Sequence, residues 1–104
     1  MQMYEAIVAA TKNALKDNKL DVLVPSGTAI QNARTSYIGD KMNRDGYHLE
    51  VNYGRYTAAC TWFEAISGKK VVGNSYGPAT VDDGKKAVAQ NAAHEAVRNP
   101  YKVT

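Results

Sequence analysis

The residues best suited to chemistry lie in one short run, Arg44-Asp45-Gly46-Tyr47-His48-Leu49. An aspartate three positions before a histidine, with a glycine between them, can fold so that the carboxylate accepts the imidazole Nδ1–H. The imidazole Nε2 is then free to take a proton from a hydroxyl nucleophile, and the carboxylate stabilises the imidazolium that forms. Asp45 and His48 are therefore the candidate catalytic residues, the first as orienter and the second as general base. The four-residue pattern taken alone also fits a loop aspartate that caps the next helix beside a solvated histidine.

Other reactive side chains read as structural. His94 falls in a helical pattern opposite an alanine face, where it is expected to be exposed and without a partner. The single cysteine, Cys60, sits in an apolar helical pattern and reads as a buried, inert thiol; one cysteine permits neither an intrachain disulfide nor a cysteine metal cluster. Asp82 and Asp83 suit helix capping better than metal binding. No metal or other cofactor is expected, since no glycine-rich phosphate loop is present and Gly27 and Gly39 are isolated. Arg34 and Arg44 could bind a substrate carboxylate or pair with Asp40 or Glu50, and pairing is the expected use. Tyr53, Tyr56, Trp62 and Phe63 are expected to be core rather than a stacking platform for a small ligand, which is a third possible use of that segment.

The elements that must position the dyad follow from periodicity. Met3 to Asp17 carries Tyr4, Ile7, Val8, Thr11 and Leu15 at helical spacing, and Asp17-Asn18-Lys19 is a polar stop. Asp21 to Pro25 is a short run rich in β-branched residues and predicts a buried strand ended by Pro25. Thr28 is placed to cap a short helix over residues 29–35. Residues 37–48 have no period and several turn formers, as functional or mobile loops do. Leu49 to Ser67 predicts the strongest helix, with Tyr53, Tyr56, Cys60, Phe63 and Ile66 as its buried stripe and Gly68 as its stop. Residues 70–72 could form a second short strand. Thr80-Val81-Asp82-Asp83 resembles a capping box that opens a helix to about Arg98, with Val88, Ala89, Ala92, Ala93, Ala96 and Val97 inward.

This layout is unbalanced. A buried strand must pair its N–H and C=O groups, and each group left unpaired costs about 1–3 kcal/mol. One strand among four helices cannot do so by itself. The pattern predicts an α/β domain, mostly helical in this chain, whose sheet is completed by a missing N-terminal part of the domain or by a second copy of the chain.

The chain has 104 residues, so it is read as a single partial domain spanning 1–104. With 44% hydrophobic and 22% charged residues it belongs with globular rather than disordered chains. The net charge of +3 is spread along the chain, and the longest basic runs are Lys69-Lys70 and Lys85-Lys86, so no nucleic-acid stripe is expected. No apolar run is long enough to span a membrane. Met1 to Glu5 does not begin a signal peptide.

Beyond spacing, Arg44-Asp45-Gly46-Tyr47-His48-Leu49 followed by Gly54-Arg55-Tyr56-Thr57-Ala58-Ala59-Cys60 resembles the last block of the SGNH (GDSL-like) hydrolases. The stretch Val24-Pro25-Ser26-Gly27-Thr28-Ala29-Ile30-Gln31-Asn32-Ala33-Arg34 looks like a bacterial branch of uncharacterised domains within that superfamily. The resemblance implies the C-terminal part of a flavodoxin-like three-layer fold and a parent activity of hydrolysing an acyl ester, such as an acetyl group on a carbohydrate. His48 would be the base and Asp45 its orienter. It also implies a family often exported. The family's Gly-Asp-Ser-like nucleophile block and its oxyanion-hole blocks have no counterpart here; Ser26, Ser36, Ser67 and Ser75 lie in other contexts. The chain by itself is therefore expected to be inactive. The alternative is a small non-enzymatic domain that self-associates as a homo-oligomer through an unpaired strand edge.

Overall fold

The computed structural model describes residues 2–18 and 20–104, and contains four helices in the order α1 (Gln2–Asp17), α2 (Ser26–Arg34), α3 (Tyr53–Ser67) and α4 (Asp83–Arg98). Met1 and Lys19, the latter read above as part of the polar stop after the first helix, lie outside the described residues.

Helices α2, α3 and α4 pack on one another and form the core, while α1 is held at its edge through Tyr4. The alanines of α4 make the close packing possible. Ala89, Ala92, Ala93 and Ala96 are all buried, and side chains this small let α2 and α3 approach the α4 backbone. Two clusters result: Tyr56, Cys60, Val71, Val81, Ala89 and Ala93 in one, and Ala33, Ile38, Met42 and Ala92 in the other. Asn32 crosses between the helices, donating from Nδ2 to Ala92 O at 3.1 Å and accepting at Oδ1 from Thr104 N at 2.7 Å.

The α/β expectation is overturned: the fold is helical, and among the described residues no strand forms. Asp21 to Val24 runs as an irregular connection, with Val22 exposed. A strand exists only through its ladder, and no second segment runs alongside to supply one. The unpaired strand edge on which self-association was to rest is therefore not there. Residues 70–72 form no strand either. Val71 is a core residue whose N–H is donated to Glu64 Oε1 at 2.8 Å. The sole β-type pairing among the described residues is the isolated antiparallel bridge between Asn43 and Leu49.

Helix ends differ from expectation in ways that hydrogen bonds explain. Thr28 does not cap α2 but lies buried inside it; the helix begins at Ser26, directly after Pro25. Thr28 Oγ1 donates to Pro100 O at 2.6 Å. Its one proton is thereby used, so Tyr4 Oη is the donor in the 2.9 Å Tyr4–Thr28 bond that ties α1 to α2. The cap of α4 is Asp82 rather than Thr80, its Oδ1 accepting from Lys85 N at 2.8 Å. Helix α3 starts at Tyr53, four residues later than expected, and ends as expected at Gly68, whose φ of 73° suits glycine.

The buried face of α3 also departs from the expected stripe. Tyr56 and Cys60 are buried, but Phe63 and Ile66 are exposed, as is Trp62. Thr57, Thr61 and Glu64 face inward instead. The two threonine hydroxyls are satisfied by their own helix, donating to Tyr53 O and Thr57 O at 2.8 Å each.

Candidate acid–base site on the loop before α3

The loop between α2 and α3 is anchored on both sides of its tip. Ile38 and Met42 insert into the second core cluster. Tyr53 Oη donates to Lys41 O at 2.8 Å. Glu50 N donates to Met42 O at 2.8 Å and Arg44 N to His48 O at 3.0 Å, which closes residues 42–50 into a narrow hairpin-like loop.

Glu50 fastens this loop to the helix. Its Oε1 accepts from Asn52 N and from Gly54 N, the latter at 3.2 Å, and so satisfies amides that the first turn of α3 would otherwise leave open. The close approach requires Gly54. A Cβ there would lie 3.0 Å from Met42 O and 3.1 Å from Glu50 Cβ.

At the tip, Asp45 Oδ1 accepts from Tyr47 N and His48 N, both at 2.9 Å, and Oδ2 lies 2.8 Å from His48 Nδ1. Gly46 makes the turn with φ 87°, and its N–H donates to Asn43 Oδ1 at 3.0 Å. The Tyr47 amide, then the His48 imidazole and the His48 amide, hold the Asp45 carboxyl below the usual carboxylate range. An ionised carboxylate only accepts hydrogen bonds, so His48 Nδ1 is the donor in this contact, and in the neutral ring Nε2 is the nitrogen that can accept a proton. Among the described residues nothing is bonded to Nε2. The side chains are open to solvent, 61% exposed for His48 and 45% for Asp45.

The structure thus brings Asp45 and His48 together as expected. None of the chain's serines hydrogen-bonds His48: Ser36 Oγ donates to Ala33 O and Ser67 Oγ to Phe63 O, each at 2.6 Å. Arg34 pairs with Asp40, Nε to Oδ1 at 3.1 Å, as one of the expected alternatives. Cys60 is buried, and burial pushes its thiol up to about 11. His94 is a correction: it is mostly buried and its Nδ1 lies 2.7 Å from Glu64 Oε2. Sequence reasoning also missed Glu50 as the acceptor for the Asn52 and Gly54 amides at the start of α3. The signal available was a glutamate just ahead of the helical period. No group of three or more His, Cys, Asp or Glu able to hold a metal ion occurs among the described residues. No described helix is long and apolar enough to cross a membrane.

Comparison with known proteins gives a family whose description names no activity. The family model described as a domain of unknown function (DUF4886) matches residues 1–96. Among solved structures, the crystal structure of a DUF4886 family protein from Bacteroides uniformis ATCC 8492 is similar over 100% of this chain, with 57% sequence identity and a TM-score of 0.97. The chain spans 40% of the length of that protein. No curated protein matches it. The family shown is thus a domain of unknown function in place of the SGNH hydrolase family that the sequence resembles, and neither match carries the description hydrolase or esterase. The chain belongs to the DUF4886 family.

Proposed function

We propose that Asp45 and His48 are the orienter and general base of an acyl-ester hydrolase whose serine nucleophile comes from polypeptide outside residues 1–104. The observation that carries this reading is the hydrogen-bonded pair itself, with one carboxylate oxygen fixed by two backbone amides and the other on Nδ1. The resemblance of residues 44–60 to the last block of SGNH hydrolases supports it, as does the chain's coverage of 40% of its solved relative.

In this reaction His48 Nε2 removes the serine proton as the oxygen attacks the acyl carbonyl. The imidazolium, steadied by Asp45, then protonates the departing alkoxide, which leaves an acyl-serine. Water is deprotonated by Nε2 in the second half, and the acid and the free serine are released. The Asp45 amide clamps keep the imidazole in one orientation without any reorganisation during the reaction. An acetylated sugar is the substrate class that the superfamily resemblance suggests.

The test is hydrolysis of p-nitrophenyl acetate by two proteins. One is the 104-residue chain. The other is a joined chain in which it replaces the matching part of the Bacteroides uniformis protein. The isolated chain should match free imidazole at equal concentration. The joined chain should turn over, and His48→Ala should lower kcat by roughly 10³-fold or more. Turnover by the joined chain that is indifferent to His48→Ala, or turnover by the isolated chain well above imidazole, refutes the proposal.

A further inference from the structure

Helix α3 is inverted. Its inward face carries Thr57, Thr61 and Glu64, while Trp62, Phe63 and Ile66 are 57%, 40% and 60% exposed. Arg55, Ala59, Trp62, Phe63 and Ile66 follow the spacing of a single helical face, and every one of them is exposed. Three large apolar side chains on one stripe, with a single charge at its end, mark a surface built to be covered. Beside the stripe, Tyr56, Ala59, Cys60, Phe63, Val71 and Tyr76 line an apolar cavity of about 220 Å³. That is room for a side chain entering from outside.

We infer that this face of α3 is the docking surface for the polypeptide that makes up the remainder of a full-length family member, beyond the 40% that this chain spans. This deepens the proposed function: the same polypeptide would bring the nucleophile. The docked helix is the one that follows the dyad loop, beginning at Tyr53, five residues after His48. The whole chain superposes on the solved relative with a TM-score of 0.97. The four helices therefore keep this arrangement in a chain two and a half times as long, whose remainder must pack somewhere. Helix α3 offers a continuous apolar face and an open cavity, with aliphatic side chains as the complementary chemistry.

The experiment compares thermal midpoints of Phe63→Glu and Ile66→Glu in the isolated chain and in the joined chain described above, with Asn91→Glu on the exposed side of α4 as control. In the isolated chain both substitutions should be nearly silent. In the joined chain each should lower the midpoint by roughly 5–10 °C, with the control unchanged. Glutamates at the superposed positions of the Bacteroides uniformis protein itself repeat the test in a chain known to fold. Silence in all three contexts overturns the inference. A solution mass that doubles with concentration while Trp62 emission moves to the blue overturns it too, by making a second copy the occupant. Because the readout is stability, loss of the esterase reading alone would leave this result standing.

Discussion

His94 Nδ1 on α4 lies 2.7 Å from Glu64 Oε2 on α3, and the other carboxylate oxygen of Glu64 accepts the Val71 amide at 2.8 Å. One buried carboxylate thus joins two helices and the turn that follows α3. Both oxygens are used, which is the condition under which a buried carboxylate is tolerated.

Removing that carboxylate should be costly. Glu64→Ala leaves the buried Val71 N–H and the His94 Nδ1–H without acceptors, and should lower stability by about 2–4 kcal/mol. Glu64→Gln retains an oxygen for Val71 and should lose about half as much. Urea unfolding followed by circular dichroism gives both values. A Glu64→Ala loss below about 0.5 kcal/mol would show that the bridge contributes nothing.

Asp45 should titrate below 3.8, its unperturbed value, with the Tyr47 amide as the leading cause and the His48 ring and amide behind it. The sign follows from linkage. A folded-state pKa that is depressed adds stability above the unfolded-state pKa, and that stability is lost as pH falls through the folded value. The loop tip should therefore stay intact from neutral pH down to about 4 and open only in stronger acid. Carbon-13 NMR of the Asp45 carboxyl, read with the Tyr47 and His48 amide shifts, follows this directly. Asp45→Asn should leave the global unfolding midpoint unchanged, because the pair is solvent-exposed and screened, while abolishing the low-pH step at Tyr47 and His48.

Local signals in the sequence located the dyad and three of the four helices nearly whole. Gly68 stops α3 because a positive φ is cheap only for glycine, and Asp45-Gly46-Tyr47-His48 is a local hydrogen-bonding unit that needs nothing distant. What failed depended on partners. Val22 and Val24 carry the composition of a buried strand, but composition does not provide a neighbour to pair with. The stripe of α3 was legible as apolar, yet which face turns inward was decided by the Glu64–His94 contact across 30 positions and by the small residues of α4. Periodicity within one helix cannot contain that information.

Cys60 should be unreactive in the native chain. Burial pushes its thiol up to about 11, so at pH 8 only about a thousandth of it is thiolate. Reaction with a disulfide reagent such as DTNB should be slow in buffer and should rise to the rate of an ordinary thiol in denaturant. Fast release of one equivalent from the folded protein would mean that the space beside Cys60, Phe63 and Val71 opens readily.

Gly54→Ala tests how firmly the dyad loop is seated on α3. Alanine favours a helix interior over glycine by about 0.5–1 kcal/mol, so the substitution would stabilise an unobstructed helix. Here the new Cβ meets Met42 O at 3.0 Å, and that carbonyl already accepts the Glu50 amide that closes the loop. It cannot retreat without opening residues 42–50, and overpacking of this kind costs about 1–3 kcal/mol. The net change should be destabilising by roughly 1–2 kcal/mol in urea unfolding. The loop should loosen as well, with faster hydrogen exchange at Arg44 and Glu50, whose amides make its two closing bonds. A net gain in stability with unchanged exchange would mean that the loop yields freely, and that the dyad is oriented by its own turn rather than by its contact with α3.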